Sequence, residues 1–155
     1  MEFKIPSTIV KEHKELHAGL HKAIRSGGEI GKVAEEVLEL LHEHFDKEEK
    51  FALPPLSLLP LLAQGNISSD VAKILPLTER LEKEMPSMLE EHKQIVLALN
   101  NLIAVAKKYN EKEHIEFAEA LVDHAKAEEE VLYPAAMLVG QYVKSKIGLS
   151  LPVSK

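Results

Sequence analysis

The sequence predicts an all-α fold, an antiparallel up-down-up-down four-helix bundle built from an internally duplicated hairpin. Three observations predict it. Four stretches of roughly 20 residues carry apolar side chains at helical spacing, and the first and second, like the third and fourth, are joined by short connections. No alternating strand pattern competes with them. Finally, the pattern H-x-x-x-E-E-x-x-x-x-P occurs twice, from His44 to Pro54 and from His124 to Pro134, at an offset of 80 residues.

A chain of 155 residues with 45% hydrophobic and 28% charged residues is expected to form one soluble domain over 1–155. Its bundle core is expected at 8–134, with an apolar connection at 54–77 and a C-terminal extension at 135–155. The net charge of −6 is spread over interleaved acidic and basic residues. No basic stripe appears, which argues against a nucleic-acid partner. The absence of cysteine excludes disulfides, thiolate metal sites, iron–sulfur clusters and cysteine nucleophiles. The N-terminus lacks the apolar region of a signal peptide, and no apolar run is long enough to cross a bilayer. No membrane association is expected, and the cytoplasm is the expected compartment. Histidine is the anomaly, with eight residues in a chain that has 5% aromatic residues and no tryptophan.

Ser7 or Thr8 is the expected N-cap of the first helix, whose stripe includes Ile9, His13, Leu16, His17 and Leu20 and which ends at Gly27-Gly28. The second helix starts near Glu29, carries Val37, Leu41, His44, Phe45 and Glu48 on one face, and stops at Pro54-Pro55. Residues 54–77 are rich in proline and leucine and are expected to pack as an end cap or a contact surface, with Ser69-Asp70 capping a short helix that ends before Pro76. The third helix is expected over about 87–108, preceded by a turn from Thr78 that kinks at Pro86. Asn110 with Glu113 reads as a capping box for the fourth helix, which presents Phe117, Leu121, His124 and Glu128. After Pro134 a further helical piece runs to about Lys146, followed by a loose tail.

The repeat extends to the first helix of each hairpin. Glu12-His13-Lys14 recurs as Glu91-His92-Lys93 at an offset of 79 residues. Four residues make about one helical turn, so each His of an H-x-x-x-E pair lies on the same face as its Glu. Pseudo-two-fold packing would bring His13, His44 and Glu48 face to face with His92, His124 and Glu128. All six fall on apolar stripes, where an unpaired carboxylate is very costly. Four imidazoles and two carboxylates suit two closely spaced divalent cations, with the Glu pair bridging them. His17 is a seventh candidate ligand, and its repeat mate is Val96, so one ion would gain a His while the other keeps an open position. Glu49 and Glu129 are expected as solvated rim carboxylates, with the option of holding a ligand imidazole. His21 and His42 are expected at the surface, His114 near the bundle's end, and Tyr133 in core packing, with the option of a hydrogen bond near the site's rim.

These motifs resemble hemerythrin and the wider hemerythrin-like HHE cation-binding family. The resemblance covers about residues 8–134 and rests on the E-H pairs at His13 and His92 and the H-x-x-x-E-E pairs at His44 and His124. It implies a carboxylate-bridged centre of two non-haem iron ions and a small diatomic ligand such as O2. The implied ligands are His13, His17, His44, His92 and His124, with Glu48 and Glu128 as bridges. Zn or Mn suits the same donors. The O2-carrying members place H-x-x-x-H on the third helix and bridge with an Asp five residues after its His, whereas here the pair is His13/His17 and Glu128 follows His124 by four. Both departures draw the chain towards the functionally varied HHE branch. The expected function is therefore O2 binding, or sensing of O2 or iron, more than catalysis. The alternatives are an enzyme acting on peroxide or nitric oxide or in iron-centre repair, and an iron storage or homeostasis protein. A homodimer or a protein partner would use the apolar 54–77 or 135–147 segments.

Overall fold

The computed structural model describes the backbone of residues 1–150 and side chains as far as Gly148. Helix α1 spans Ser7–Arg25 and α2 spans Gly28–Lys47, continuing into a wide π-helical turn at Glu48–Ala52. A 3₁₀ turn at Pro54–Leu58, the short helix α3 at Leu59–Ala63 and a second 3₁₀ turn at Ser69–Ile74 follow. Helix α4 spans Leu75–Lys108 and α5 spans Lys112–Ala127. A second π-helical turn at Glu128–Leu132 leads into α6, Tyr133–Ser150. Among the described residues there is no β-strand, and no helix is long and apolar enough to cross a membrane.

Helices α1, α2, α4 and α5 form the bundle: α1 packs on α2, α2 on α4, α4 on α5, and α5 on α1. Leu16, Leu20, Val37, Leu41, Leu99 and Leu121 fill one apolar layer. Phe51, Leu53, Leu81, Met88 and Tyr133 fill a second. Burial of each large side chain in these layers contributes about 1.5–3 kcal/mol. The histidine- and glutamate-bearing level lies along the helices between them. The 54–77 connection packs on α6 through Leu58, Leu62, Val71, Ile74, Val139 and Val143, as an end cap.

Several helix boundaries differ from the sequence reading, each for a local reason. Ser7 is the first helical residue rather than a cap; the Pro6 carbonyl accepts the Ile9 and Val10 N–H groups at 3.0 and 3.1 Å, so no side-chain cap forms. Helix α4 begins twelve residues before Ser87, at Leu75, and runs unbroken through Pro86. Pro86 is exposed, so water can satisfy the carbonyl it leaves unbonded, while buried Leu81 and Met88 anchor the helix on both sides. Pro76 accordingly opens α4 instead of closing the preceding turn, a position where proline loses nothing. Asn110 caps no helix N-terminus. It closes α4 in the left-handed conformation, at φ +55°, with the Glu111 N–H bonded to the Ala106 carbonyl at 2.9 Å. Glu113 pairs with Lys22 of α1 instead. Beyond Lys146, where a tail was expected, α6 continues to Ser150, and the rest of that tail lies outside the described residues.

Candidate metal centre

Six of the seven proposed ligands meet in one level of the bundle. His13 comes from α1, His44 from the end of α2, His92 from α4 and His124 from α5. Glu48 and Glu128 are each the first residue of a π-helical turn. All six are buried, and the two carboxylates are at most 1% exposed. Their atoms sort into two sets. On one side His44 Nε2 lies 3.0 Å from Glu48 Oε1, and His92 Nε2 lies 3.4 Å from Glu128 Oε1. On the other, His13 Nε2 lies 3.5 Å from Glu48 Oε2, and His124 Nε2 lies 3.4 Å from Glu128 Oε2. Each carboxylate therefore turns one oxygen to each histidine pair. His44, Glu48, His92 and Glu128 form one group with donor atoms close enough to share an ion, and His13, His124 and Glu128 form another.

The rings are oriented from outside. His44 Nδ1 bonds Glu91 at 3.2 Å, His92 Nδ1 bonds Glu129 at 3.0 Å, and His124 Nδ1 bonds Glu12 at 2.7 Å. A carboxylate on Nδ1 fixes the proton there and leaves the inward Nε2 with a free lone pair, the tautomer that ligates metals. Lys47 bonds Glu91 in turn. His13 instead stacks on Phe45, with ring centroids 4.8 Å apart. Two of these outer carboxylates, Glu12 and Glu91, had no assigned role in the sequence reading beyond their place in the E-H-K repeat. Glu129 is an exposed rim residue as expected and also takes up the ring-holding option.

Tyr133 is the larger surprise. It is fully buried, and its phenol donates to Glu48 Oε1 at 2.5 Å while standing 3.2 and 3.1 Å from His44 and His92 Nε2. It is a centre residue rather than only core packing, because the wide turn after Glu128 rotates it inwards. His17 is half-buried and stays outside the six-residue cluster. Its ring stacks on His21 at 5.8 Å and leans on Phe45 at 5.3 Å. It shares a cavity of about 140 Å³ with His13, Lys14 and Glu49. His21 and His42 are exposed, and His114 is buried away from the centre, bonded to Ser26 Oγ at 2.7 Å.

Without a cation the electrostatics of this level conflict. Burial first, and then the charge of Glu128, raises the Glu48 carboxyl far above the usual carboxylate range. Burial also pushes Glu128 up, but the imidazoles of His124 and His92 beside it outweigh that and hold the carboxyl low. The pair thus keeps one proton and one charge. Burial lowers His124 less than the neighbouring Glu128 carboxylate and its bond to Glu12 raise it, to about 9. At His13 burial wins, and its pKa falls. Burial and the neighbouring Glu48 and Glu128 charges raise the Tyr133 phenol, which stays protonated.

Among the described residues four buried atoms have no hydrogen-bond partner: His13 Nε2, Glu48 Oε2, His124 Nε2 and Glu128 Oε2. A buried polar atom left unmatched costs about 1–3 kcal/mol; those of His13, His124 and Glu128 are close enough to share one partner, with Glu48 Oε2 3.5 Å from His13. Imidazole nitrogens with carboxylate oxygens and no sulfur fit a divalent transition-metal ion. His44 and His92 Nε2 approach to 2.8 Å, and with Nδ1 protonated on each ring both inward lone pairs are left for a shared cation. Neither the curated proteins nor the solved structures give a match to this chain. The Hemerythrin HHE cation binding domain matches residues 4–136, a span that contains every residue of the cluster. The chain belongs to the hemerythrin HHE cation-binding family, and its buried His/Glu cluster is the part suited to the cation.

Proposed function

We propose that this is a hemerythrin-like protein with two non-haem irons, binding O2, or sensing O2 or iron, at a carboxylate-bridged centre. The observation that carries the reading is the pairing of the four orphaned atoms with a carboxylate geometry that offers one oxygen to each side. Glu48 and Glu128 would bridge the two ions, with His44 and His92 holding one and His13 and His124 the other. His17, turned inwards from its stack on His21, would add a further ligand to the second ion. Iron rests on the family's resemblance, since Zn and Mn suit the same donors. When bound, the two irons supply the electrons that hold a diatomic ligand. The chain's own residues orient the imidazoles through Glu12, Glu91 and Glu129, exclude water with the flanking apolar layers, and keep a proton on Tyr133 beside Glu48.

The duplicated antiparallel hairpin is part of the same proposal. Its support is that both π-helical turns begin at repeat-related glutamates, and that His124–Glu12 and His44–Glu91 are repeat-related pairs. The test is elemental analysis of protein from its native host, with absorption spectra before and after O2. Two irons per chain and a chromophore that forms reversibly with O2 are expected; zinc without such a chromophore overturns the reading. A second reading, an enzyme acting on peroxide or nitric oxide, draws support from Tyr133, a neutral buried donor at the centre. It predicts peroxide or nitric oxide turnover that falls in Tyr133→Phe with both metals retained.

A further inference from the structure

A second group of metal-ligating side chains lies outside the centre, where α1 and α2 meet at the surface. His17 and His21, one turn apart on α1, stack with their rings 5.8 Å apart. With Glu39, His42 and Glu43 of α2 they line an open depression of about 500 Å³. His21, Glu39, His42 and Glu43 are exposed, and among the described residues no hydrogen bond or salt bridge engages any of the five side chains. Three imidazoles and two carboxylates lining one depression are residue types that suit a borderline divalent cation.

His17 belongs to this depression and to the inner cavity as well, because it also lines the 140 Å³ space beside His13. Both rings rest on Phe45, His13 at 4.8 Å and His17 at 5.3 Å. Imidazoles therefore run from the surface to the centre: His21 and His42, then His17, then His13 beside Glu48. The corresponding face of α4 offers no such series. The depression there is lined by His92, Lys93, Val96, Leu97 and Glu129, and His92 is already tied to Glu129. Val96 stands where His17 does in the repeat, and Asn100 where His21 does.

We propose that His21, His42, Glu39 and Glu43 form a capture site for a divalent transition-metal cation, and that His17 passes the ion inwards to His13 and the Glu48–Glu128 pair. The carboxylates attract the cation and the imidazoles select it over calcium and magnesium, which prefer all-oxygen sites. A histidine pair one turn apart on a helix is a familiar chelating unit. This inference rests on the dinuclear reading of the centre, and its test separates the two.

The test mixes cobalt(II) with the metal-free chain in a stopped-flow instrument and follows the ligand-field absorption to its end point. Wild type is expected to reach two cobalt ions per chain. The double variant His21→Ala/His42→Ala is expected to reach the same end point at least roughly tenfold more slowly, whereas Lys93→Ala on the α4 face keeps the wild-type rate. All three positions are exposed, so folding is not at stake. Equal rates for wild type and the double variant, with two ions bound in each, overturn the capture route and leave the centre standing. A wild-type end point below two overturns the dinuclear reading and the capture route together.

Discussion

The His44–His92 half and the His13–His124 half of the centre use the same residue types at repeat-related positions, yet they are unequal. The first half is closed: the Tyr133 phenol sits against both imidazoles and Glu48, and Glu129 holds His92. The second half opens on a cavity beside His17, and His13 is held by stacking on Phe45. The repeat mates of Tyr133 and His17 are Leu53 and Val96. A shared scaffold thus sets out two groups of donors, and one polar residue added to each half distinguishes what an ion held there would meet.

The largest expected effects test whether the halves share their bridges. Glu48→Gln and Glu128→Gln should each abolish stable occupancy of both positions, whereas His44→Ala and His13→Ala should each cost one ion, read as metal per chain by elemental analysis. If a Glu variant keeps one full equivalent, the carboxylates do not bridge. Removing the metal from wild type should lower the thermal midpoint by roughly 8–16 °C for each ion lost, the equivalent of about 4 kcal/mol per ion held at a thousandfold over its Kd. In the metal-free chain Glu48→Gln should be nearly neutral, within about 1 kcal/mol, because Glu48 there is already protonated by burial and by its neighbour's charge. Denaturant unfolding with and without metal measures both values.

Tyr133→Phe tests the closed half. It removes the buried donor that faces Glu48, His44 and His92, and should destabilise the metal-free chain by about 1–3 kcal/mol. Metal at the His44–His92 position should show a changed spectrum, while the His13–His124 position keeps its own. Equal changes at both positions would mean that the phenol serves the centre as a whole.

The pattern of what was legible follows from the geometry of helices. Four residues are one turn, so His44 with Glu48 and His124 with Glu128 could be read from spacing alone, and the repeat supplied the partners. Tyr133 follows Glu128 by five residues, which on a regular α-helix turns it about 140° away. The π-helical turn closes its bond five residues on, from the Tyr133 N–H to the Glu128 carbonyl, and brings Tyr133 back towards the same face. No side-chain pattern announces that change of pitch. Glu12 and Glu91 escaped for a related reason: each directly precedes a ligand His and so points off that residue's face, and its target lies on another helix. Pro86 misled because proline's local penalty was weighed without the buried residues on either side of it.

Glu91→Ala and Glu12→Ala compare the halves through their outer carboxylates. Each should weaken metal binding by about 10–100-fold, measured by competition with a chromophoric chelator. Glu91 should have the larger effect, since its side chain is 26% exposed against 52% for Glu12, and Lys47 also holds it in place. A larger loss in Glu12→Ala would mean that the open half depends more on ring orientation than the closed half does.

The smallest expected effect is also the sharpest on asymmetry. Glu49 and Glu129 are repeat mates, both exposed, each following a proposed bridge. Only Glu129 makes a bond to a ligand ring; Glu49 lines the cavity beside His13 and His17 without one. Glu129→Gln should therefore lower affinity at the His44–His92 position by up to about tenfold, and Glu49→Gln should leave affinity unchanged. The same chelator competition reads both. Should Glu49→Gln weaken binding as much as Glu129→Gln, then His13 is held by Glu49 once the metal is bound, and the two halves are more alike in use than their geometry at rest implies. Should it have no effect, His13 is the one ligand imidazole without a carboxylate behind it. Its ring is then the freest to shift, on the side where the cavity and His17 already lie.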